Sequence, residues 1–341
     1  MSSVDIRINQ LSTATTTVVL VLLCFAFVFG LVGLILNIIV FTRPNLRNEP
    51  CSFYFLSSTY FNLFFVTIII PVRILSNSFN IDLAYYYIGI CKIEYFAFYS
   101  VRTISCWLIA IACIDRYFHS SKSVHIRQIS SLKTAKRTTF VIILFIPICY
   151  SHMIVYMNIK YTPNQSGNLA PSCNSDNEIH RLFLVIWYMT LYSFCPSFLM
   201  TFFGLLTLRN IREHCQTITR ITKNNPINRR TDRQVLHMLT AQVFVIIIAT
   251  LPQSINQLYI TFTANLVKDR LRLAEENLSS KTLGGLTFFT HSSTFYLFTI
   301  SGTIFRKELC KFFRQYFCFQ RNRIHVVGDK SRHIPVSLRN L

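Results

Sequence analysis

The sequence predicts an all-α membrane protein, a bundle of seven transmembrane helices followed by a short amphipathic helix. Hydrophobic residues make up 52% of the 341 residues and charged residues only 14%, against roughly 25% charged residues in soluble domains. The charges also leave long apolar segments, and a helix needs only about 20 apolar residues to cross the hydrocarbon layer. A soluble fold of this length could not cover such a core with so few charges.

Seven segments have the length and composition of membrane helices. Six contain no Asp, Glu, Lys or Arg: 18–41, 51–72, 138–159, 182–208, 234–267 and 282–305. The seventh, 95–114, contains one arginine, Arg102. No cleavable signal peptide is expected, because the first apolar segment is too long for one. The predicted parts of the chain are an N-terminal segment 1–15, the bundle 16–304, a membrane-surface helix 305–319 and a basic tail 320–341.

The distribution of basic residues predicts the orientation. Of the 34 Lys and Arg residues, 24 fall in four connecting segments, 42–52, 115–137, 209–233 and 306–341. Basic loops stay in the cytoplasm, so we expect a plasma-membrane protein with an extracellular N-terminus. The net charge of +20 then suits anionic lipids and acidic partners, and not nucleic acid. Two glycosylation motifs, at Asn164 and Asn277, fall on the predicted outer side.

The sequence contains no pattern typical of an enzyme. It has no metal-ligand cysteine spacing, no glycine-rich phosphate loop and no Ser/His/Asp nucleophile arrangement, so neither a metal nor a cofactor is expected. Most of the 11 cysteines lie in apolar segments or at the inner side. Cys91 and Cys173 lie at or beyond the predicted outer surface, where thiols normally oxidise to disulfides.

Asp115, Arg116 and Tyr117 directly follow the third apolar segment. Cys91 lies 25 residues before Arg116, about 37 Å along one helix, which places one residue at each face of the bilayer. An outer cysteine and an Asp-Arg-Tyr sequence at the inner end of the same helix resemble the rhodopsin-like G-protein-coupled receptors. Further residues agree with this resemblance: Gly33, Asn37, Pro71, Pro196 and Pro252.

The resemblance implies a receptor that binds an extracellular ligand and activates heterotrimeric G proteins, with arrestin as a further possible partner. It implies a Cys91–Cys173 disulfide, which would fix a loop over the ligand cavity. It also implies a latch, in which Arg116 is shared in the resting state between Asp115 and Asp232. Outward movement of the sixth helix would break the contact with Asp232 and open a pocket for the G protein.

Several family positions carry other residues here. Asn62 replaces the usual aspartate of the second helix, Thr250 replaces an aromatic residue, and Thr294 begins a variant of the Asn-Pro-x-x-Tyr motif. Gly204 stands where a tyrosine is usual in the fifth helix. The resemblance therefore implies a divergent receptor. Asn37, Asn62 and Thr294 are expected to form an internal hydrogen-bond set, without a sodium site because no carboxylate is present.

Arg102 is the outstanding polar residue within the apolar segments. An ionisable side chain at that depth costs roughly 2.5–3.5 kcal/mol to insert and is a candidate site. It is expected either to contact a ligand or to be a structural arginine paired with polar groups of other helices. We expect Phe98, Gln253 and Asn256 around it in the cavity. His291 is a weaker pocket candidate, because a histidine inside a bundle is often only hydrogen-bonded there.

The favoured ligand is a peptide, because Phe98 stands where receptors for amines carry an aspartate. A chemosensory receptor for small molecules is the alternative. A retinal protein is not expected, because no lysine lies between Lys281 and Lys307. A transporter is less favoured, since no inverted repeat is visible.

Residues 305–319 have an aromatic face opposite a basic one, which predicts a helix on the membrane surface. Within it, Cys310 and Cys318 are either palmitoylation sites or unmodified apolar residues.

Overall fold

The computed structural model describes residues 3–79, 81–163, 169–175, 177–219, 226–263, 266–302 and 305–315. Side chains are described throughout these ranges except at positions 3, 45, 162–163, 169–170, 214–219 and 226–238.

Seven long helices, named here by their order in the chain, form the bundle, and three of them are uninterrupted. Helix one is Ser3–Phe41, helix three is Ile88–His119 and helix six is Pro226–Phe262. Helix one thus includes nearly all of the predicted N-terminal segment. The predicted all-α architecture is confirmed.

The other four helices are divided. Helix two consists of Pro50–Phe64, a π-helical turn Phe65–Ile69 and Ile70–Phe79; helix four consists of Leu132–Tyr150 and His152–Tyr156. Helix five consists of Glu178–Tyr188, a π-helical turn Met189–Phe194 and Cys195–Thr219; helix seven consists of Arg270–Ser292 and Thr294–Ser301. Short helices at Pro44–Arg47, Leu83–Tyr85 and Val124–Ile129 lie in the connections.

Six of these helices, one to six, are long and apolar enough to cross a membrane, as judged from the described residues. Helix seven differs because it begins at Arg270, in a polar stretch, and is broken at Ser293. The predicted apolar segment 282–305 therefore covers only the later part of this helix and the start of the next one.

Both π-helical turns end two residues before a proline, Pro71 in helix two and Pro196 in helix five. Proline has no backbone N–H and its ring clashes with the carbonyl four residues earlier, so a wider turn relieves the contact. In helix five, other groups bond the freed carbonyls: Trp107 donates to Leu191 at 2.8 Å and the Cys106 thiol to Tyr192 at 3.6 Å. These two hydrogen bonds thus tie the π-helical turn of helix five to helix three.

A β-hairpin covers one end of the bundle, called here the hairpin end. Strand β1, Met157–Pro163, pairs antiparallel with strand β2, Leu169–Ser175. Cys173 of β2 forms a disulfide with Cys91 at the start of helix three, with the Cα atoms 5.8 Å apart. The predicted disulfide is confirmed, and it fixes the hairpin to the bundle.

Residues 305–315 form a helix after helix seven. Phe305 is buried and its ring packs against Phe41 and Phe298. Arg43 lies over the Phe312 ring, 5.3 Å from its centre. Cys310 is exposed on this helix, whereas Cys318 and the last part of the predicted surface helix lie outside the described residues. Palmitoylation stays a prediction.

Two helix glycines differ in the space around them. A Cβ atom at Gly30 of helix one would lie 2.7 Å from the Ser292 hydroxyl and 3.1 Å from Val66, whereas a Cβ at Gly204 would meet nothing within 4 Å. Gly30 therefore permits the close approach of helices one and seven, and Gly204 leaves open space.

We expect Gly204→Ala to raise the free energy of unfolding by about 0.5–1 kcal/mol, because alanine restricts the unfolded chain and nothing obstructs its methyl group. Gly30→Ala is the matched control and should lower it by about 1–3 kcal/mol through overpacking. Thermal unfolding of the purified protein in detergent measures both. Shifts of the same sign for the two variants would contradict the packing described here.

Candidate ligand cavity and the Arg116 end

A cavity of about 250 Å³ opens among helices one, two, three, five, six and seven at the hairpin end. Aromatic rings from helices three and five form much of its wall. The following charged and amide side chains line it: Arg73, Asn77, Arg102, Gln253, Gln257 and Lys281. No Asp or Glu is among the described residues that line it.

Arg102 is buried, with 3% of its surface exposed. Its Nη2 donates to the Thr287 hydroxyl at 2.5 Å and to the Tyr192 hydroxyl at 3.2 Å. The guanidinium also lies 4.8 Å from the centres of the Phe98 and Tyr192 rings, within the range of cation–π attraction. In the described part of the chain, Arg102 forms no ion pair. Among the described residues, only neutral groups, two hydroxyls and several aromatic rings, contact its charge.

The two other cations of the cavity differ from each other. Arg73 forms an ion pair with Glu94 at 3.2 Å and lies over the rings of Tyr95 and Phe98. Lys281, on helix seven, has neither a hydrogen bond nor an ion pair with any described residue. Among the described residues, an acid compensates the charge of Arg73, whereas none compensates those of Arg102 and Lys281.

Phe98, Arg102 and Gln253, all predicted for the cavity, line it. Asn256 does not line it, contrary to expectation: its amide oxygen accepts a hydrogen bond from Ser279 of helix seven at 3.4 Å. Successive helical residues are rotated by about 100°, and Gln257 takes the position expected for Asn256. Sequence reasoning also missed Lys281 as a cavity residue, although its position as the last charge before the uncharged segment 282–305 was a usable signal.

His291 lies beside the cavity wall and is not among the described lining residues. Its Nε2 is 3.2 Å from the Tyr192 hydroxyl, and its Nδ1 is 2.8 Å from Asn62 Oδ1. Ser105 also donates to Asn62, at 2.5 Å. A continuous chain of hydrogen bonds therefore runs from Arg102 through Tyr192 and His291 to Asn62.

The expected internal polar set is divided. Asn37 Nδ2 donates to the Thr294 hydroxyl at 3.1 Å, joining helices one and seven. Asn62 belongs instead to the chain that ends at Arg102. The predicted set of three is therefore found as two separate hydrogen-bonded groups among the described residues.

Ion pairs surround the part of helix seven that precedes its apolar segment. Glu276 lies 2.6 Å from Lys268 and 3.3 Å from Arg272. Burial acts to raise the pKa of the Glu276 carboxyl, but the charge of Lys268 and the hydrogen bonds from Lys268, Tyr259 and Arg272 together outweigh it, so the net pKa is lowered. Glu276 is therefore already paired with two neighbouring cations, Lys268 and Arg272.

Glycosylation at Asn277 and at Asn164 stays a prediction. Asn277 is half-buried in helix seven, and Asn164 lies outside the described residues.

The opposite end of the bundle is called the Arg116 end. Arg116 is 6% exposed, and its Nη2 lies 3.7 Å from Glu49 Oε2, at the start of helix two. Asp115 Oδ1 accepts a hydrogen bond from Ser130 at 2.9 Å. Ser130 is thus one hydrogen-bond partner of Asp115, and the latch of Arg116 with Asp115 and Asp232 stays a prediction. The side chain of Asp232 lies outside the described ones.

A second cavity, of about 100 Å³, lies beside Arg116 among helices three, five and six. Cys113, Gly204, Leu239 and Val243 contribute to its lining. Gly204, at the position where the family usually has a tyrosine, leaves open space beside this cavity. Tyr117 faces helix five, with its ring 5.4 Å from that of Phe203.

The sequence matches the family described as 7 transmembrane receptor (rhodopsin family) over residues 33–296. The chain belongs to this family, so it is a multi-pass membrane receptor of the class that the disulfide, the Asp-Arg-Tyr sequence and the bundle define. It is similar to the FMRFamide peptide receptor frpr-18 of Caenorhabditis elegans, with 22% identity over 176 residues. That alignment covers 50% of this chain and 40% of the relative, which is less than half of the relative's length.

Proposed function

We propose that the chain is a plasma-membrane receptor that binds a peptide in the cavity at the hairpin end and activates a heterotrimeric G protein at the Arg116 end. In this proposal the hairpin end is extracellular, as the distribution of basic residues predicts. The observation that carries it is Arg102, a buried cation without an ion pair in the described residues, on the wall of an open cavity. Such a charge is costly in a ligand-free membrane protein, and a ligand acceptor would compensate it.

A peptide agrees with the chemistry of the cavity. Its aromatic rings, amides and cations match peptide carbonyls, carboxylates and apolar side chains, and the relative named above is a peptide receptor. An amine would find no acid among the described lining residues. The volume of about 250 Å³ holds only the end of a peptide, so the remainder would lie against the hairpin.

The same volume favours a second candidate, a chemosensory receptor for small molecules. Drug-sized ligands occupy pockets of about 300–1,000 Å³, so a small molecule would fill this cavity alone. Peptides longer than four residues separate the two candidates, since their affinity should rise with contacts outside the cavity only if the first is right.

For the Arg116 end we propose that the resting state holds Arg116 by acidic groups of helices two and six. Glu49 is the acid that supports this at helix two, and Asp232 is the proposed acid of helix six. The Glu49 side chain is 52% exposed, so its pair is expected to contribute only about 0–1 kcal/mol. The larger part of the restraint is therefore assigned to Asp232.

We expect Arg116→Ala to abolish agonist-stimulated nucleotide exchange on a G protein while ligand binding is retained. Asp232→Ala should raise basal exchange by shifting the population toward the active state, and Glu49→Gln should raise it less, by at most about fivefold. Exchange is measured with cells or membranes of equal receptor surface density, across several G-protein classes.

Glu213→Gln is the control, because this exposed acid lies at the same end and pairs with Lys122 and Arg209 instead. It should leave basal exchange unchanged. If Arg116→Ala signals normally, or if none of the acid variants changes basal exchange, the proposed role of the Arg116 end is wrong.

A further inference from the structure

The cavity has an excess of positive charge at two separate places. Arg73 is compensated by Glu94, but Arg102 and Lys281 line the same cavity without an ion pair among the described residues. No described lining residue is acidic. The nearby acid Glu276 is already paired with Lys268 and Arg272, so it does not serve as a partner for Lys281.

Helix seven provides the spacing between the two charges. Thr287 accepts a hydrogen bond from Arg102 and lies six residues after Lys281, which is about 9 Å along the helix axis. Gly284 and Phe288 line the cavity on the same side of the helix. Long helical side chains point toward the helix N-terminus, so the ammonium of Lys281 lies nearer the start of helix seven and Arg102 lies deeper.

Two further polar groups of the lining lack a partner. Gln253 Oε1 and Ser254 Oγ are buried and have no hydrogen bond with any described residue, although buried polar atoms usually have one. Both residues lie on helix six, which packs beside helix seven, and the Gln253 amide lies close to Gly284. They are suited to bond the amide groups of a peptide that lies between the two cations.

We propose that the cavity selects a peptide with two anionic groups spaced like Lys281 and Thr287 along helix seven, about 9 Å, with a free C-terminal carboxylate at Arg102 and an acidic side chain at Lys281. An extended chain advances about 3.3 Å per residue, so the acid lies two or three residues before the last. This inference rests on the proposed function, and it sets the ligand apart from the one named for the relative. A peptide ending in Arg-Phe-amide would add a cation to a cavity that already has two.

The physical basis is the difference between the two kinds of peptide. A carboxylate compensates a desolvated guanidinium and bonds its remaining N–H groups. An amidated end offers only a carbonyl, and a peptide arginine would be desolvated without an acid to receive it. Selectivity then comes from both attraction and repulsion.

The experiment uses four pools of synthetic pentapeptides, in which the last residue is Phe and the third from last is fixed. The pools have Asp with a free carboxylate, Asn with a free carboxylate, Asp with a C-terminal amide, and Asn with a C-terminal amide. The peptide FMRFamide is the fifth probe. Affinity for the full-length receptor is measured from ligand-induced thermal stabilisation, and G-protein nucleotide exchange is recorded for each probe.

The Asp pool with a free carboxylate should bind at least about tenfold more tightly than any other probe, because the loss of one charged hydrogen bond costs roughly that much affinity. Lys281→Gln should remove the preference for Asp over Asn and keep that for carboxylate over amide. Arg102→Gln should do the reverse, and Lys281→Arg should keep both preferences.

Three results would overturn the inference. Binding and exchange produced equally by FMRFamide or by the uncharged pool would refute it while leaving the peptide receptor intact. Unchanged preferences in Lys281→Gln would also refute it, since the second anion would then have another partner. If no probe binds, both the inference and the proposed peptide ligand fail.

Discussion

Replacing Arg102 by methionine is expected to weaken agonist binding by roughly 2–5 kcal/mol, and at the same time to raise the thermal stability of the ligand-free receptor. Binding weakens because the charge that meets the ligand is lost. Stability rises because a buried guanidinium without an acid partner in the described residues is removed, and an apolar side chain of similar length fills its place. Radioligand or fluorescence binding and thermal unfolding measure the two effects.

The opposite signs depend on the partners that Arg102 leaves behind. The Tyr192 hydroxyl keeps its contact with His291 at 3.2 Å, and the Thr287 hydroxyl keeps its bond to the Gly284 carbonyl at 2.7 Å. Neither group is therefore left unsatisfied. A loss of stability together with unchanged affinity would make Arg102 a structural residue, the alternative that the sequence leaves open.

Arg73→Met is the matched control for Arg102→Met. It removes a cation from the same cavity, but it leaves Glu94 with its side chain only 9% exposed and without its ion-pair partner. Breaking a buried pair from one side is destabilising. The control should therefore lower the stability of the ligand-free receptor, in contrast to the Arg102 variant.

The second large effect is expected from the disulfide. Replacing Cys91 and Cys173 together by alanine should lower the free energy of unfolding by about 2–4 kcal/mol, because the bond closes a long loop in the unfolded chain. The residues are 82 positions apart. Reductant should lower the thermal unfolding temperature of the wild type to that of the double variant. It should leave the unfolding temperature of the double variant unchanged.

Cys310→Ala serves as the control for this pair, since Cys310 is an exposed free thiol on the helix 305–315. Its stability should remain that of the wild type and should stay sensitive to reductant. Peptide mapping under non-reducing conditions that finds Cys91 and Cys173 as free thiols in surface-expressed protein would contradict the prediction.

Much of the fold could be predicted because the thickness of the membrane sets the length of each spanning helix. Uncharged segments of more than 20 residues leave the chain few alternatives to spanning helices, and the position of Cys91 relative to Arg116 indicates the direction of helix three. The break at Ser293 and the π-helical turns could not be predicted in this way. They depend on which carbonyl finds a partner on a neighbouring helix, as Leu191 does with Trp107.

A site residue could be predicted where its chemical type is unusual for its segment. It could not be predicted where its role depends on which side of a helix it faces. Arg102 is conspicuous as a charge in an apolar segment, and it lines the cavity. The choice between Asn256 and Gln257 depends on one step of about 100° around helix six, which the uncharged sequence after Pro252 does not determine. Glu49 was missed because its contact with Arg116 joins two segments that are distant in the chain.

The π-helical turns at Phe65–Ile69 and Met189–Phe194 have a consequence for comparing this receptor with other chains. A wide turn accommodates one residue more than an α-helical turn over nearly the same rise. A relative without it would be one residue shorter at that place and still present the same faces on both sides. Alignments should therefore place single-residue gaps inside these two helices. Without such gaps, every residue between the turn and the end of the helix would be aligned with a residue on a neighbouring side of the relative's helix. Tyr188, before the turn, and Tyr192, within it, could then not both be aligned with their true counterparts.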